Sequence, residues 1–331
     1  MLTKSVSIFD RNKDDILKRV SGLFGIKPAG LNKLGSFESF VYEYEKAGKE
    51  YILKITHSLH RTKEEILGEL DWVDFLANGG VSVSGVCKSV DGNFVESIAV
   101  DDSYFHVYTF DKAGGEFTNP DNWNNALFEN WGKVLGRMHR ITNAYKPSRK
   151  EYTRYDWFDD PTLKVEEYLP ESQSKIIDKC HALKEKINKL PRENGSFGLI
   201  HSDLHQGNFK IDNGTLTVFD FDDCHYNYYA YDLMIPIYYV LLSEKVGTGN
   251  ITFANNFFNH FIAGYRTEYE TKAWWLEYIP DFLKLREIDL YAVITREKAD
   301  ETNLWCKRFM NGKREKIESD LPVIDLDFSK Y

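Results

Sequence analysis

The stretch that decides the fold reads His201-Ser-Asp-Leu-His-Gln-Gly-Asn208, and a second stretch, Val218-Phe-Asp-Phe-Asp-Asp223, follows it closely. In the first stretch an acidic residue, Asp203, precedes an amide, Asn208, by five positions. In the second, Asp220 follows the amide by twelve positions, after an Asn-Gly turn sequence. Two short segments of the chain thus supply four carboxylates, two amides and two histidines.

These residue types suit phosphoryl transfer, in which a protein positions the reacting groups and neutralises charge. One carboxylate orients the attacking hydroxyl and accepts its proton, while an amide and a second carboxylate supply the oxygen ligands that Mg²⁺ prefers. On this basis Asp203 is the predicted base, and Asn208 and Asp220 are the predicted metal ligands. Asp222 lies on the same strand face as Asp220 and is a further candidate ligand, which the sequence leaves open. The predicted cofactors are ATP and Mg²⁺.

The segment before these motifs has the pattern of a sheet with one helix. Residues 40–44 and 51–55 are rich in aromatic and β-branched side chains and flank a turn at Gly48, which predicts two strands. A helix is predicted next, because Thr62 and Glu65 have the spacing of a capping box. Further extended stretches, separated by short turns, follow this helix.

The pattern changes at the loop 111–115, which contains two glycines. Beyond the loop, apolar residues recur at helical intervals, first over residues 127–141. We therefore expect a nucleotide-binding N-lobe of residues 1–111. A C-lobe of residues 112–331 is expected to carry the catalytic loop and to bind the acceptor.

The motifs resemble those of the protein-kinase-like superfamily, most closely its aminoglycoside phosphotransferase and choline kinase branch. The spacing H-x-D-x-x-x-x-N matches that family's catalytic loop, and Asp220 stands where the family has its second metal-binding aspartate. With the order of the lobes, the resemblance covers roughly residues 30–310. It implies an α+β, bilobal protein-kinase-like fold, with a small antiparallel β-sheet N-lobe that carries one helix and a larger, mainly helical C-lobe.

The same resemblance implies roles for residues outside the two motifs. Lys54 would neutralise the α- and β-phosphates, and Glu69 on the following helix would pair with it. His205 stands where protein kinases have a lysine, so it is expected to contact the transferring phosphate. Asp232 resembles a family aspartate that braces the catalytic loop, and His201 is expected to hydrogen-bond the backbone of that loop.

The family reads adenine through backbone groups of a hinge, and the resemblance places this hinge at Tyr108, Thr109, Phe110 and Asp111. The loop that covers the phosphates has a single glycine, Gly35, where the full pattern has three. Backbone N–H groups of Ser36 and Phe37 are nevertheless expected to face phosphate.

Composition and charge exclude several classes of protein. The net charge is −9, from 42 basic and 51 acidic residues, so nucleic acid is not an expected partner. The four cysteines form no C-x-x-C pair, which argues against a zinc knuckle or a disulfide framework. Residues 1–20 lack an apolar signal core, and the longest apolar stretch is only ten residues long and contains Pro236. We expect a cytoplasmic protein without a membrane span; the oligomeric state stays open.

Three alternatives to a small-molecule kinase remain at this point. His201, Asp203 and His205 alternate along an extended segment and are compatible with the metal cluster of a hydrolase. A catalytically inactive nucleotide-binding module has the same motifs, and a protein serine/threonine kinase has the same fold. The preference for ATP over GTP is also open.

The acceptor is expected to be a small hydroxyl compound, and the acidic and aromatic residues between 268 and 289 suggest one that carries an amine. The same stretch fits an amphipathic helix with a buried aromatic face, and the sequence does not decide between the two.

Overall fold

The computed structural model describes residues 2–36, 39–243, 250–301 and 303–331. The chain divides into two compact units. Unit 1 comprises the residues up to Glu116 together with Tyr145–Arg154 and Lys210–Asp222, and unit 2 comprises Phe117–Ala144, Tyr155–Phe209 and Asp223–Tyr331. The first break lies close to the predicted boundary at residue 111, but unit 1 also takes two later segments.

Unit 1 is built on an antiparallel sheet. Six strands of the described chain form it: β1 (Asn32–Ser36), β2 (Phe40–Lys46), β3 (Lys49–His57), β4 (Val86–Cys87), β5 (Glu96–Val100) and β6 (Ser103–Asp111). The order is β1-β2-β3-β6-β4, and β5 also pairs with β6. Ala47 and Gly48, both with positive φ, make the tight turn between β2 and β3. This confirms the predicted hairpin.

Two helices accompany the sheet of unit 1. Helix α1 (Leu2–Phe24) places its apolar face on the sheet, where Phe9 stacks on Phe40 with ring centroids 3.7 Å apart. Helix α2 (Lys63–Asn78) begins with the predicted capping box of Thr62 and Glu65. The sequence predicted α2 but not α1, because the many charged residues of α1 mask its apolar stripe.

Unit 2 is mainly helical. Its helices are α3 (Asn125–Thr142), α4 (Ser174–Asn188), α5 (Tyr229–Leu242), α6 (Ile251–Arg266), α7 (Ala273–Glu297), α8 (Leu304–Met310) and α9 (Lys313–Glu318). Helices α3 and α6 approach closely at glycines: a Cβ atom on Gly132 would lie 1.8 Å from the carbonyl oxygen of Phe261. Only glycine fits there, and the close approach brings His139 of α3 within hydrogen-bond distance of Tyr265 of α6.

Short strands frame the motifs. Strand β7 (Phe197–Ile200) pairs with β10 (His225–Tyr228), and β8 (Phe209–Asp212) pairs with β9 (Thr215–Val218). The motif that begins at His201 therefore starts directly after β7. No helix in the described ranges is long and apolar enough to cross a membrane.

Candidate active site

Each of the two motifs contains a strained backbone position. Ser202 has φ +69° and Asp220 has φ +66°, in the left-handed region that residues with side chains rarely adopt. Such conformations cost free energy and persist only where the surroundings impose them, most often at functional sites. The strain therefore marks both motifs as candidate parts of an active site.

The predicted catalytic loop, residues 201–208 in unit 2, is held by a buried carboxylate on α5. Asp232 accepts hydrogen bonds from the backbone N–H groups of His201 at 2.9 Å and Ser202 at 2.7 Å. Its Oδ2 also lies 3.2 Å from His139 Nε2, and Tyr265 OH lies 2.8 Å from His139 Nδ1. Burial lowers the pKa of His139 although Asp232 opposes this. Asp232 thus braces the loop, as predicted.

His201 is fully buried, and its Nδ1 accepts a hydrogen bond from the backbone N–H of Asp203 at 3.3 Å. This is the predicted contact with the loop backbone. Among the residues that the structure describes, no three His, Cys, Asp or Glu side chains are grouped so that they can hold a metal ion. The hydrolase interpretation of His201, Asp203 and His205 has therefore no geometric support.

Both carboxylate oxygens of Asp203 have polar neighbours within unit 2. Oδ2 lies 3.1 Å from Nδ2 of Asn208 and 3.4 Å from Nε2 of His205, and Oδ1 lies 3.3 Å from Nη2 of Arg286. Burial raises the pKa of Asp203, but the hydrogen bond from His205 and the charges of His205 and Arg286 outweigh it, and the pKa is lowered. Asp203 is therefore a carboxylate at neutral pH, the form that a base requires.

His205 is oriented by its own loop. Its Nδ1 accepts a hydrogen bond from the backbone N–H of Gly207 at 2.9 Å, so the proton of the neutral ring lies on Nε2, which faces Asp203. A Cβ atom on Gly207 would lie 2.7 Å from Cε1 of His205. Glycine at position 207 therefore leaves the space that the imidazole ring occupies.

Asn208 presents its amide oxygen. Its Nδ2 donates to the backbone carbonyl of Asp203 at 2.8 Å and to the Asp203 carboxylate at 3.1 Å. No hydrogen bond to its Oδ1 is found within the described part of the chain. An amide whose donors are both used and whose oxygen remains is a suitable ligand for a hard cation.

In unit 1, Lys54 on β3 pairs with Asp220. The Lys54 Nζ lies 2.5 Å from Oδ1 of Asp220, and the lysine is buried whereas the Asp220 side chain is 47% exposed. Burial lowers the pKa of Lys54, but the charge of Asp220 and those of further acidic neighbours outweigh this, so the pKa is well above its usual value. Lys54 is therefore a cation, and Asp220 keeps a second oxygen that makes no hydrogen bond to the described residues.

Glu69 lies on α2 with both carboxylate oxygens buried, and neither has a hydrogen-bond partner among the described residues. Burial raises its pKa to about 7, although the charge of Lys54 opposes the rise. The sequence predicted an ion pair between Lys54 and Glu69. In the structure Lys54 pairs with Asp220 instead, and Glu69 interacts with Lys54 only over a longer distance.

Asp222 differs from Asp220 in its neighbours. Its Oδ2 lies 2.8 Å from His60 Nε2, and its Oδ1 lies 3.6 Å from Nε of Arg61, both in the segment before α2. Burial raises the pKa of Asp222, but Arg61 and His60 outweigh it and hold the pKa well below its usual value. Arg154 donates to the Asp222 backbone carbonyl. Of the two predicted carboxylate ligands, Asp220 is thus the more open to a cation.

The predicted hinge residues Tyr108–Asp111 belong to β6, between β3 and β4. Lys54 pairs with Tyr108 on one side, Cys87 pairs with Thr109 on the other, and the N–H of Asp111 donates to Gly85 at 2.8 Å. Residues 108–111 therefore pair with other strands of the sheet, and their contact with adenine stays a prediction. Ser36 ends β1, with its backbone alone described, and Phe37 lies outside the described residues.

Several acidic and aromatic residues in the stretch 268–289 form ion pairs or are buried within unit 2. Glu268 accepts from Arg137 at 2.6 Å and from Arg140 at 3.0 Å, and Asp281 pairs with Lys186. Trp275 is fully buried. The predicted amphipathic helix corresponds to α7, which carries Trp275 and Asp281, whereas Glu268 lies before it in the turn after α6. These contacts account for the three residues without an ammonium ligand.

The sequence did not predict a site role for His60, Arg61 and Arg286, although each contacts a predicted site carboxylate. No local signal marks them, because the contact from Arg286 to Asp203 spans 83 positions and that from His60 to Asp222 spans 162. A solvated basic residue on a helix face or before a helix gives the same sequence pattern as one that contacts a buried carboxylate. Only the tertiary structure identifies these three.

A model of the phosphotransferase enzyme family matches residues 31–277. The chain belongs to this family. It is 34% identical over 322 residues to the amicoumacin kinase of Bacillus subtilis (strain 168), an alignment that covers 96% of each protein. It is also similar to the solved structure of amicoumacin kinase hAmiN in complex with AMP-PNP, Ca²⁺ and Ami, with a TM-score of 0.94, 33% identity and coverage of 100% of this chain and 99% of the other.

More distant structures share the fold of this phosphotransferase. A microcompartment-associated aminopropanol kinase superposes with a TM-score of 0.71 at 22% identity, covering 94% of this chain and 99% of the other. A spectinomycin phosphotransferase superposes with a TM-score of 0.62 at 15% identity, covering 92% and 97%. The predicted family, the bilobal α+β fold and the kinase activity toward small molecules are thus confirmed.

Proposed function

We propose that this phosphotransferase moves the γ-phosphate of ATP to a hydroxyl group of amicoumacin or a closely similar compound. The observation that carries the proposal is the Asp203 carboxylate, ionised and oriented by Asn208 and His205 in a strained loop. The amicoumacin kinase of Bacillus subtilis, similar along 96% of the chain, supports the choice of acceptor.

Each candidate site residue has a separate role in the proposed reaction. Asp203 accepts a hydrogen bond from the acceptor hydroxyl and takes its proton as the hydroxyl oxygen bonds to the γ-phosphorus, while the bond from that phosphorus to the β,γ-bridging oxygen breaks and ADP leaves. His205, whose Nε2 faces Asp203, would also lie against the transferring phosphate. Lys54 places its charge against the α- and β-phosphates, and Glu69 becomes its partner when the nucleotide draws Lys54 away from Asp220.

Asn208 and Asp220 would hold the metal ion, each through an oxygen that makes no hydrogen bond within the described residues. We propose Mg²⁺, because both ligands are hard oxygens. The ion neutralises the charge of the phosphates when it is bound. Asp222 is better suited to hold His60 and Arg61 in place. Backbone groups near Asp111 would read the adenine, and the N–H groups of Ser36 and Phe37 would face phosphate.

Residues 1–111 would supply most of the nucleotide contacts, and residues 112–331 the catalytic loop and the acceptor site. Because the reaction consumes ATP, we propose that the protein works in the cytoplasm. The acceptor is the one partner that we propose.

A panel of acceptors tests this proposal. Release of ADP from Mg²⁺-ATP is measured with amicoumacin, 1-amino-2-propanol, glucose and casein as acceptors, and mass spectrometry detects a product heavier by one phosphate group. We expect amicoumacin to give the highest kcat/KM and the Asp203→Asn variant to lack the product. A higher kcat/KM for any other acceptor would refute the choice of amicoumacin, and phosphorylation of casein alone would refute a small-molecule acceptor.

A further inference from the structure

Arg286, on helix α7, carries a guanidinium group that reaches the catalytic loop from a distant part of unit 2. Its side chain is only 15% exposed. Nη2 lies 3.3 Å from Oδ1 of Asp203 and 2.7 Å from the hydroxyl oxygen of Tyr239, and Nη1 lies 2.8 Å from Oδ2 of Asp289. The guanidinium is therefore held by three acceptors on the side chains of the loop, α5 and α7.

Further contacts connect Arg286 with His205 through Tyr239, so that the two residues flank Asp203. The aromatic ring of Tyr239 lies 4.8 Å from the ring of His205 between centroids, and 5.7 Å from the Cζ atom of Arg286. His205 in turn faces Oδ2 of Asp203, whereas Arg286 faces Oδ1. The two oxygens of the carboxylate are thus fixed from two directions, and rotation about the bond from Cβ to the carboxylate would break a contact on each side.

We propose that Arg286 is a positioning residue, which holds the Asp203 carboxylate in the orientation that meets the acceptor hydroxyl. Tyr239 and Asp289 hold Arg286 in turn. This inference rests on the proposed role of Asp203 as the base. It extends that role, because the contacts of the Asp203 carboxylate with Asn208 and His205 in its own loop involve Oδ2 and do not fix Oδ1.

Unpaired buried groups and the shape of the guanidinium support a positioning role for Arg286 beyond stabilising the fold. Nε of Arg286 and Oδ1 of Asp289 are buried, and neither has a hydrogen-bond partner among the described residues. Buried polar groups in native proteins are usually paired, so an unpaired one needs an explanation, and a role in positioning Asp203 supplies one here. The planar fork of an arginine also binds two acceptors in fixed directions, which the single ammonium group of a lysine does not.

The test compares Arg286→Gln, Arg286→Lys and Tyr239→Phe with the wild-type protein. Arg296→Gln is the matched control, because Arg296 lies on the same helix and pairs with Glu297 away from the loop. For each variant the melting temperature, the Kd for Mg²⁺-ATP, and kcat and KM with amicoumacin are measured. ADP release without an added acceptor, where water takes the phosphate, is measured in parallel.

We expect Arg286→Gln to lower kcat on the order of 10- to 100-fold, because a small misplacement of a reacting group has effects of that size. Its Kd for Mg²⁺-ATP stays within about twofold of the wild-type value, since the guanidinium contacts no nucleotide-binding residue that we propose. Arg286→Lys recovers part of kcat, Tyr239→Phe loses about threefold, and Arg296→Gln matches the wild type. A residue that only stabilises the fold would lower the melting temperature and leave kcat per folded molecule unchanged.

The outcomes separate this proposal from the one on which it rests. Unchanged kcat in Arg286→Gln, with activity lost in Asp203→Asn, overturns the positioning role and leaves the base in place. Unchanged kcat in Asp203→Asn overturns both. If Arg286→Gln does not fold, Tyr239→Phe decides, and unchanged kcat in that variant overturns the proposal. If amicoumacin is not phosphorylated, the same comparison is made on ADP release to water.

Discussion

Replacement of Glu69 by glutamine should stabilise the free protein at alkaline pH and leave its stability nearly unchanged at acid pH. The Glu69 carboxyl group is buried and has no hydrogen-bond partner among the residues that the structure describes, and burial raises its pKa from 4.5 to about 7. A carboxyl group with a raised pKa binds its proton more tightly in the folded protein than in the unfolded chain. Ionisation therefore costs the folded protein stability as the pH rises from the unfolded pKa to the folded one, and the full cost applies above it.

The size of this cost follows from the two pKa values. They differ by roughly 2.5, and each unit corresponds to about 1.36 kcal/mol, so the cost above pH 7 is about 3 kcal/mol. It is an upper value for the gain in the variant, since glutamine brings its own buried polar atoms and loses the attraction to Lys54. At pH 5 the wild-type carboxyl group is mostly protonated when folded, so the two proteins should differ little.

Urea unfolding at pH 5 and pH 8 measures this effect through the free energy of unfolding of wild type and Glu69→Gln. Glu64→Gln is the matched control, because Glu64 lies on the same helix and is exposed. We expect the stability difference between variant and wild type to increase by about 1–3 kcal/mol from pH 5 to pH 8, and the control to show no such change. An equal difference at both pH values would refute the assignment of a buried, unpaired carboxyl group to Glu69.

Three further predictions concern the catalytic groups and the packing of unit 2. Asp203→Asn should keep the affinity for Mg²⁺-ATP in calorimetry but lower kcat about 10²–10⁴-fold, the contribution of a positioned base; unchanged turnover would contradict its role. Asp220→Ala should abolish most of the rise in melting temperature that Mg²⁺-ATP causes, which in the wild type is worth about 2.7 kcal/mol at 100 times Kd; an equal rise in both proteins would exclude Asp220 as a ligand. Gly132→Ala should destabilise the protein by about 3 kcal/mol or more in urea, because its Cβ would lie 1.8 Å from the Phe261 carbonyl oxygen. The same change at Gly22, which has open space around it, should have little effect, and equal effects at both positions would contradict the packing argument.

Local spacing was enough to predict the groups of the catalytic loop. Asp203, Asn208 and His205 are neighbours along the chain, so their contacts depend on a few backbone dihedrals that the motif itself specifies. The bracing role of Asp232 could also be predicted, but only through the family resemblance. The hairpin at Gly48 and the capping box of α2 are local in the same way, and both were confirmed.

Contacts over long sequence distances were decided by packing alone. Lys54 was predicted to pair with Glu69, but it lies against Asp220, 166 positions away, because a buried ammonium group takes the nearest available carboxylate. The sequence left open whether Asp222 binds metal beside Asp220, and in the structure the segment before α2 places His60 and Arg61 against Asp222.

The amino-acid sequence by itself thus determined which residue types the candidate site contains and the order in which the chain supplies them. Both depend only on residue types and short spacings. The tertiary structure decided which charges are buried together, which carboxylates remain open, and that Arg286 of α7 reaches Asp203. The physical reason is that two charges interact strongly when they lie a few ångströms apart in space. The number of residues between them along the chain does not give that distance.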